Sequence, residues 1–188
     1  APEHLKSIIN RFVEKSGVKE PLSVKIQTNL PPSRGLGSSA AVAVAFVRAS
    51  YDFMDQPLDD KTLIKEANWA EQIAHGKPSG IDTQTIVSNK PVWFKQGQAE
   101  TLKSLKLNGY MVVIDTGVKG STKQAVEDVH VLCESDEYMK YVEHIGTLVH
   151  SASESIEQHD FHHLADIFNA CQEDLRHLTV SHDKIEKL

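Results

Sequence analysis

Residues 31–41 read PPSRGLGSSAA and lie between an alternating apolar segment and an alanine-rich segment typical of a helix. Gly35 and Gly37 can adopt backbone angles closed to other residues, so several N–H groups can point toward one anion. Ser38 and Ser39 begin the helix, where four N–H groups lack intrahelical acceptors and the helix dipole is positive. The stretch therefore predicts a phosphate-binding loop. A glycine turn with a serine N-cap is the alternative, which the flanking prolines and small residues disfavour.

Composition places the chain among ordinary globular proteins. It has 188 residues, with 40% hydrophobic and 24% charged residues. The net charge of -6, without a basic block, argues against a nucleic-acid partner. No apolar run approaches the roughly 20 residues of a membrane span. Cys133 and Cys171 lack metal-binding or C-x-x-C spacing, which predicts reduced thiols and a cytoplasmic location.

In the first half of the chain, hydrophobic periodicity predicts three helices and a strand. The helices are expected over 3–16, over 39–54 and from Asp59 or Asp60 to about His75. Alternation over 22–27 predicts a half-buried strand. The small residues of the second helix would allow it to pack closely on a sheet.

Further strands and a helical second half are expected beyond residue 80. Strands are predicted over 83–88 and 91–94, and a compact apolar strand over 110–115. From about Ser121 the pattern is helical, with breaks near Ser135, Gly146, Asp160 and Thr179 and a new helix from Ser181. A composition shift near 105–109 predicts two domains, residues 1–105 and 109–188, the first carrying the phosphate loop (31–41) and the segment 71–82.

The second informative stretch runs from Glu71 to Asp82 and reads EQIAHGKPSGID. Glu71 lies near the end of a predicted helix, and a glycine-proline loop follows that can bring Asp82 back toward it. Phosphoryl transfer needs a metal on the phosphates and a group that handles the proton of the attacking hydroxyl. Glu71 with a hydroxyl of Ser38 or Ser39 suits Mg²⁺, and Asp82 suits the base. On spacing alone, a solvated Glu71 and an Asp82 in an Asx-turn fit equally well.

The two stretches together resemble the kinase superfamily that contains galactokinase, homoserine kinase, mevalonate kinase and phosphomevalonate kinase. PPSRGLGSSAA resembles its phosphate-binding motif, and E-x-x-x-H-G-x-P-S-G-I-D is similar to the catalytic segment of its mevalonate kinases, the bacterial ones above all. The resemblance extends over the whole chain. It implies an α+β kinase fold with an N-terminal ribosomal-protein-S5-like domain and a C-terminal ferredoxin-like domain, both incomplete here.

The resemblance also implies roles for individual residues. Ser39 and Glu71 would bind magnesium, and Asp82 would receive or orient the proton of the mevalonate hydroxyl. Thr122 matches a threonine near the reacting phosphate; the basic residue two positions earlier is Gly120 here, and Lys119 is a candidate replacement. His75, beside the catalytic loop, is either a substrate contact or a structural cap. The residues around the nucleotide phosphates would be Pro32, Ser33, Arg34, Gly35, Leu36, Gly37, Ser38, Ser39 and Ala40.

The implied reaction is the transfer of phosphate from ATP to mevalonate, giving 5-phosphomevalonate for isoprenoid synthesis, with Mg²⁺ as cofactor. Another kinase of the superfamily, for homoserine or phosphomevalonate, and a non-catalytic nucleotide-binding module remain alternatives. The family has a lysine-bearing strand upstream and a glycine-rich loop downstream that this chain lacks. We therefore expect a fragment that is inactive by itself; the resemblance allows a homodimer.

Overall fold

A computed structural model describes residues 3–32, 34–76, 78–102, 110, 112–118 and 120–187. The chain divides into two compact units, Ala1–Ser104 and Leu105–Leu188. The first unit contains four helices and one antiparallel hairpin among its described residues, and the second contains three helices. The elements are α1 (Glu3–Ser16), α2 (Ser38–Phe53), α3 (Asp60–His75), α4 (Ile81–Ser88), β1 (Val92–Lys95), β2 (Gln98–Thr101), α5 (Thr122–Leu132), α6 (Asp136–Gln158) and α7 (Phe161–His177).

The three helices predicted in the first half are confirmed within a residue or two. α1 ends at Ser16, and Gly17, with a φ of 65°, follows it. α3 begins where its cap was expected: the Asp59 carboxylate accepts a hydrogen bond from the Thr62 backbone N–H at 2.6 Å. That hydrogen bond lowers the pKa of Asp59. These boundaries depend on capping signals within a few residues, which is why the sequence locates them.

The core of the first unit is a helix–helix interface built from small side chains. On α2 the buried residues Ala40, Ala43, Val44 and Val47 follow helical spacing. They pack against α3, where Leu63, Ala67 and Ala70 are buried. Alanine at the contact lets the two backbones approach closely. Within the described residues α2 thus packs on a helix, and the expectation of a sheet beneath it was wrong.

α1 completes this interface from the other side through charged groups. Arg11 donates from Nε to Glu66 Oε2 at 3.0 Å, and its guanidinium lies 4.5 Å from the centre of the Trp69 ring. Lys15 also donates to the Glu66 carboxylate. Glu66 is only 9% exposed, so two cations compensate a carboxylate that burial would otherwise destabilise.

Residues 83–88 form a helix, and the predicted strand there was wrong. Thr83 and Val87, four positions apart, are both buried, which is helical spacing. The Thr85 hydroxyl donates to the Ile81 carbonyl. Tertiary burial of one helical face therefore outweighs the β-propensity of this threonine- and isoleucine-containing segment. The strand predicted over 91–94 is present as β1, paired with β2, which was not predicted; Val92 lies opposite Thr101.

Two other predicted strands do not form among the described residues. In 22–27, Leu22, Val24 and Ile26 are 39–45% exposed. In 110–115, Val112 and Val113 are 75% and 69% exposed, and Met111 lies outside the described residues. An alternating pattern becomes a strand only when a neighbouring strand accepts its hydrogen bonds, and no described strand pairs with either segment.

The second unit, described by itself, is built on the packing of α6 against α7. His144 Nδ1 lies 2.7 Å from Oδ2 of the buried Asp174, and Tyr141 stacks on His177. α6 continues through Gly146, where a break was expected, because packing outweighs the cost of about 1 kcal/mol for one glycine.

Residues 183–187 form turns instead of the helix predicted from Ser181. None of the described helices is both long and apolar enough to cross a membrane.

Candidate active site

The start of α2 meets the last turns of α3 through a hydrogen bond between two predicted metal ligands. Ser39 Oγ donates to Glu71 Oε1 at 2.6 Å. The two residues are 32 positions apart, and Glu71 is only 5% exposed. Packing of α2 on α3 through alanines is what brings these oxygens together. The structure therefore joins the phosphate loop to the second motif at this point.

The phosphate loop also contacts Asp82. Gly37, the N-cap of α2, has a φ of 62°, and a Cβ on it would lie 3.6 Å from Asp82 Cγ and 3.8 Å from Oδ2. Asp82 lies in the first turn of α4 and is exposed. Its carboxylate thus lies beside the N-terminus of α2, where the helix dipole favours negative charge. Glycine is required at position 37 because L side chains rarely adopt this backbone conformation.

The turn before Asp82 is closed by a second glycine. Gly80 is the N-cap of α4, with a φ of 89° and no capping side chain. A Cβ at Gly80 would lie 3.3 Å from Asn68 Nδ2, a close contact that would require one of the two to shift by a few tenths of an ångström. Asn68 lies on α3, one turn before Glu71. The backbone that presents Asp82 therefore passes directly over an amide of α3.

Two residues at the site were not predicted from the sequence. Asn68 is three positions before Glu71, and this spacing places both on one face of α3; that periodicity was the available signal. His4, on α1, has its Nε2 3.5 Å from Ser39 Oγ. No local signal identifies His4, because α1 reaches the phosphate loop only through the folding of the first unit.

The structure places most of the other predicted residues in the loop or at the start of α2. Pro32, Gly35 and Leu36 are exposed, Arg34 and Ser38 are half-buried, and Ala40 is buried in α2. Ser33 and Lys119 lie outside the described residues, and His75 is described only as the last residue of α3. Thr122 is the first residue of α5 in the second unit, where Ser121 Oγ accepts the Gln124 N–H at 3.3 Å.

Ser39 and Glu71 suit magnesium better than a transition metal. Both present hard oxygen donors, and Mg²⁺ is usually held by one or two protein oxygens together with phosphates and water. Among the described residues no group of three or more histidine, cysteine, aspartate or glutamate side chains could hold a metal by itself. A hydroxyl and a buried carboxylate 2.6 Å apart at a helix N-terminus therefore fit an ion that arrives with a bound phosphate.

Comparison with known proteins gives the same family throughout. Residues 3–89 match the family model described as GHMP kinases N terminal domain. The mevalonate kinase of Aeropyrum pernix is 35% identical over 173 residues, which are 89% of this chain and 53% of that protein. That of Pyrococcus abyssi is 32% identical over 192 residues, 98% of this chain and 57% of that protein.

Two solved structures extend the likeness to the fold. The crystal structure of mevalonate kinase from methicillin-resistant Staphylococcus aureus MRSA252 is 65% identical, with a TM-score of 0.76, over 100% of this chain and 60% of that one. Leishmania major mevalonate kinase in complex with R-mevalonate is 28% identical, with a TM-score of 0.70, over 84% and 50% of the two chains. The predicted α+β kinase fold is thereby confirmed. The chain spans between half and three fifths of these relatives.

Proposed function

We propose that this chain forms the phosphate-binding part of a mevalonate kinase of the GHMP kinase superfamily, because residues 3–89 match the family model described as GHMP kinases N terminal domain. The reaction is the transfer of the terminal phosphoryl group of ATP to the primary hydroxyl of mevalonate, giving ADP and 5-phosphomevalonate. Identity of 65% to the S. aureus enzyme across the whole chain supports this substrate over those of other members. A cytoplasmic location and a homodimer remain predictions.

One observation carries the proposal: three separate helices present oxygen-bearing side chains and backbone N–H groups at the phosphate loop. Ser39 on α2 is hydrogen-bonded to Glu71 on α3, and Asp82 on α4 lies against Gly37. A structural glycine turn does not require a buried carboxylate on one side and an exposed carboxylate on the other. A kinase requires both, one for the metal and one for the acceptor hydroxyl.

Each side chain has one role in this proposal. The N–H groups at the start of α2 bind the nucleotide phosphates and stabilise the charge that develops on them. Ser39 Oγ and the Glu71 carboxylate would hold magnesium, which neutralises phosphate charge when bound. Asp82 is exposed, so a substrate hydroxyl can reach it, and its carboxylate orients that hydroxyl and accepts the proton.

The experiment compares Asp82→Asn with Asp60→Asn in the full chain of the enzyme. Asp82 and Asp60 both lie in the first turn of a helix. Each substitution therefore removes one negative charge that interacts favourably with the helix dipole. We expect Asp82→Asn to lower kcat for mevalonate by about 10²-fold or more, with ATP binding retained, and Asp60→Asn to leave kcat unchanged. A wild-type rate in Asp82→Asn would remove Asp82 from the mechanism.

A substrate panel decides the class of acceptor. The unaltered enzyme is given ATP with mevalonate, phosphomevalonate or homoserine in turn, and ADP release is measured. We expect mevalonate to have the highest kcat/KM. Preference for one of the other two would assign the chain to another kinase of the superfamily. ATP binding without transfer to any acceptor would indicate a nucleotide-binding module.

A further inference from the structure

We propose that Asn68 is a positioning residue that fixes the Gly80 turn and thereby sets where Asp82 meets the substrate hydroxyl; this rests on the proposed function. The evidence begins with an unusual polar atom. Asn68 Oδ1 is fully buried and has no hydrogen-bond partner among the residues that the structure describes. Buried amide oxygens nearly always have a partner, so this one requires an explanation.

Stability does not explain an asparagine at this position. A buried acceptor without a partner costs about 1–3 kcal/mol, whereas an apolar side chain of the same volume would avoid that cost. Leucine has the same number of side-chain heavy atoms as asparagine, branched at the same carbon, and suits a helix better. Asn68 is half-buried on α3, one turn before Glu71, so an apolar residue there would leave no buried acceptor unpaired. The amide is therefore better explained by what it does at the site.

Its position shows what it can do. Asn68 Nδ2 and Oδ1 lie 3.3 and 3.8 Å from where a Cβ on Gly80 would be, so the amide packs directly against the backbone of the turn. Gly80 has no side chain to cap α4, and its φ is 89°. The turn has two local hydrogen bonds, from the Ile81 N–H to the Ser79 hydroxyl at 3.3 Å and from the Gln84 N–H to the Gly80 carbonyl at 3.0 Å. Asp82 follows two residues later. The Asn68 side chain on α3 thus packs against the turn that positions Asp82.

The unpaired Asn68 Oδ1 is an acceptor that a hydrogen-bond donor could reach at the start of α4. The first N–H groups of a helix lack intrahelical acceptors, and Oδ1 lies at the start of α4. We infer that Oδ1 gains its hydrogen bond when nucleotide and acceptor substrate are bound together. The ligands would then be stabilised by an acceptor that is costly in the free protein. Replacement of Asn68 by an apolar residue should therefore leave the free protein as stable or more stable, and should reduce the stabilisation that the bound ligands provide.

The test replaces Asn68 by leucine in the full chain, with Asn169→Leu as control, because Asn169 is exposed on α7 in the second unit. We expect Asn68→Leu to leave Tm of the free protein unchanged or raised. It should lower kcat about tenfold or more, with KM for ATP unchanged, because displacement of a reacting group by about 1 Å costs up to about 10²-fold. The rise in Tm on adding a non-hydrolysable ATP analogue with mevalonate should be smaller than in wild type. Asn169→Leu should change none of these quantities.

Three outcomes would overturn the inference. One is a kcat within twofold of wild type; another is a ligand-induced rise in Tm equal to that of wild type. The third is an equal loss of kcat when Asn68→Leu is added to Asp82→Asn, since a residue that acts through Asp82 has little left to affect there. Failure of the proposed function is separate, because it would appear as absent mevalonate phosphorylation in the unaltered enzyme.

A double-mutant cycle tests the contact with Gly80 independently of activity. Gly80→Ala should lower the free energy of unfolding because of its positive φ and because its methyl group would lie 3.3 Å from Asn68 Nδ2. Adding Asn68→Ala removes the second cause, so the double variant should recover part of the loss. Strictly additive losses would mean that Asn68 does not support the turn.

Discussion

Two buried glutamates on α3, five positions apart, contact different elements of the first unit. Glu66 is bound by Arg11 and Lys15 of α1, whereas Glu71 accepts a hydrogen bond from the Ser39 hydroxyl at the phosphate loop. Two cations compensate the first charge, so Glu66 joins helices. The second carboxylate lies beside the hydroxyl at the start of α2, so Glu71 is a candidate ligand for a cation that arrives with a phosphate. The element that each carboxylate contacts therefore differs: α1 for Glu66 and the phosphate loop for Glu71.

The pKa of Glu66 gives a prediction of how stability depends on pH. Burial raises this pKa, but hydrogen bonds from Lys15 and Arg11 lower it more, so the net pKa lies below the usual 4.5. A carboxylate with a lowered folded-state pKa stabilises the protein above the unfolded pKa and loses that effect as pH falls through the folded one. We expect Glu66→Gln to lower the free energy of unfolding by about 1–3 kcal/mol at pH 7.

Urea unfolding of wild type and Glu66→Gln across pH 7 to 3 measures the difference. It should shrink below about pH 4.5 as Glu66 takes up its proton in the wild-type protein. Glu14→Gln, on the exposed side of α1, is the control and should have little effect at either pH. A difference between wild type and Glu66→Gln that is constant over this pH range would contradict the prediction.

At the scale of elements, the loop before α2 contains two glycines with the same backbone requirement and different neighbours. Gly35 and Gly37 have φ of 71° and 62°. A Cβ at Gly35 would meet nothing within 4 Å, whereas one at Gly37 would touch the Asp82 side chain at 3.6 Å. A substitution at Gly35 therefore adds backbone strain alone, whereas one at Gly37 adds backbone strain and a contact with the proposed base.

Alanine at each glycine gives the prediction for this element. Both variants should lose about 1–2 kcal/mol of stability, since left-handed backbone costs that much for an L side chain. Gly37→Ala should in addition lower kcat, because its methyl group limits the positions open to Asp82. Chemical denaturation and steady-state kinetics measure the two effects. Equal kcat in both variants would show that contact with Gly37 does not matter to Asp82.

At the scale of the whole molecule, the open question is what the second unit contributes to catalysis. Thr122 begins α5 there, and the resemblance assigns it to the reacting phosphate. We expect Thr122→Ala to lower kcat by about 10²-fold, the typical effect of losing one donor to transition-state charge, and Thr122→Ser to retain most of the activity because the hydroxyl remains. Thr147→Ala on α6, where the hydroxyl donates to the Glu143 carbonyl, is the control.

Steady-state kinetics of these three variants decide the role of Thr122. If Thr122→Ala and Thr147→Ala have the same kcat, the proposed phosphate contact is wrong and the catalytic groups belong to the first unit. The boundary between the predicted domains, near 105–109, falls outside the described residues. The two predicted domains, residues 1–105 and 109–188, therefore remain a proposal.

Features that depend on neighbouring residues can be predicted from the sequence. Periodicity and caps located α1 and α3, and the glycine spacing of residues 35 and 37 predicted a backbone with positive φ. Secondary structure and residue contacts that depend on distant parts of the chain are seen only in the folded protein. Residues 83–88 are a helix because one helical face is buried, and residues 22–27 form no strand where no described strand pairs with them. Ser39 and Glu71 were named from motifs, but helix packing brings them to 2.6 Å. The contact between Asn68 and the Gly80 turn also depends on the fold, because two residues 12 positions apart carry no local signal that they meet.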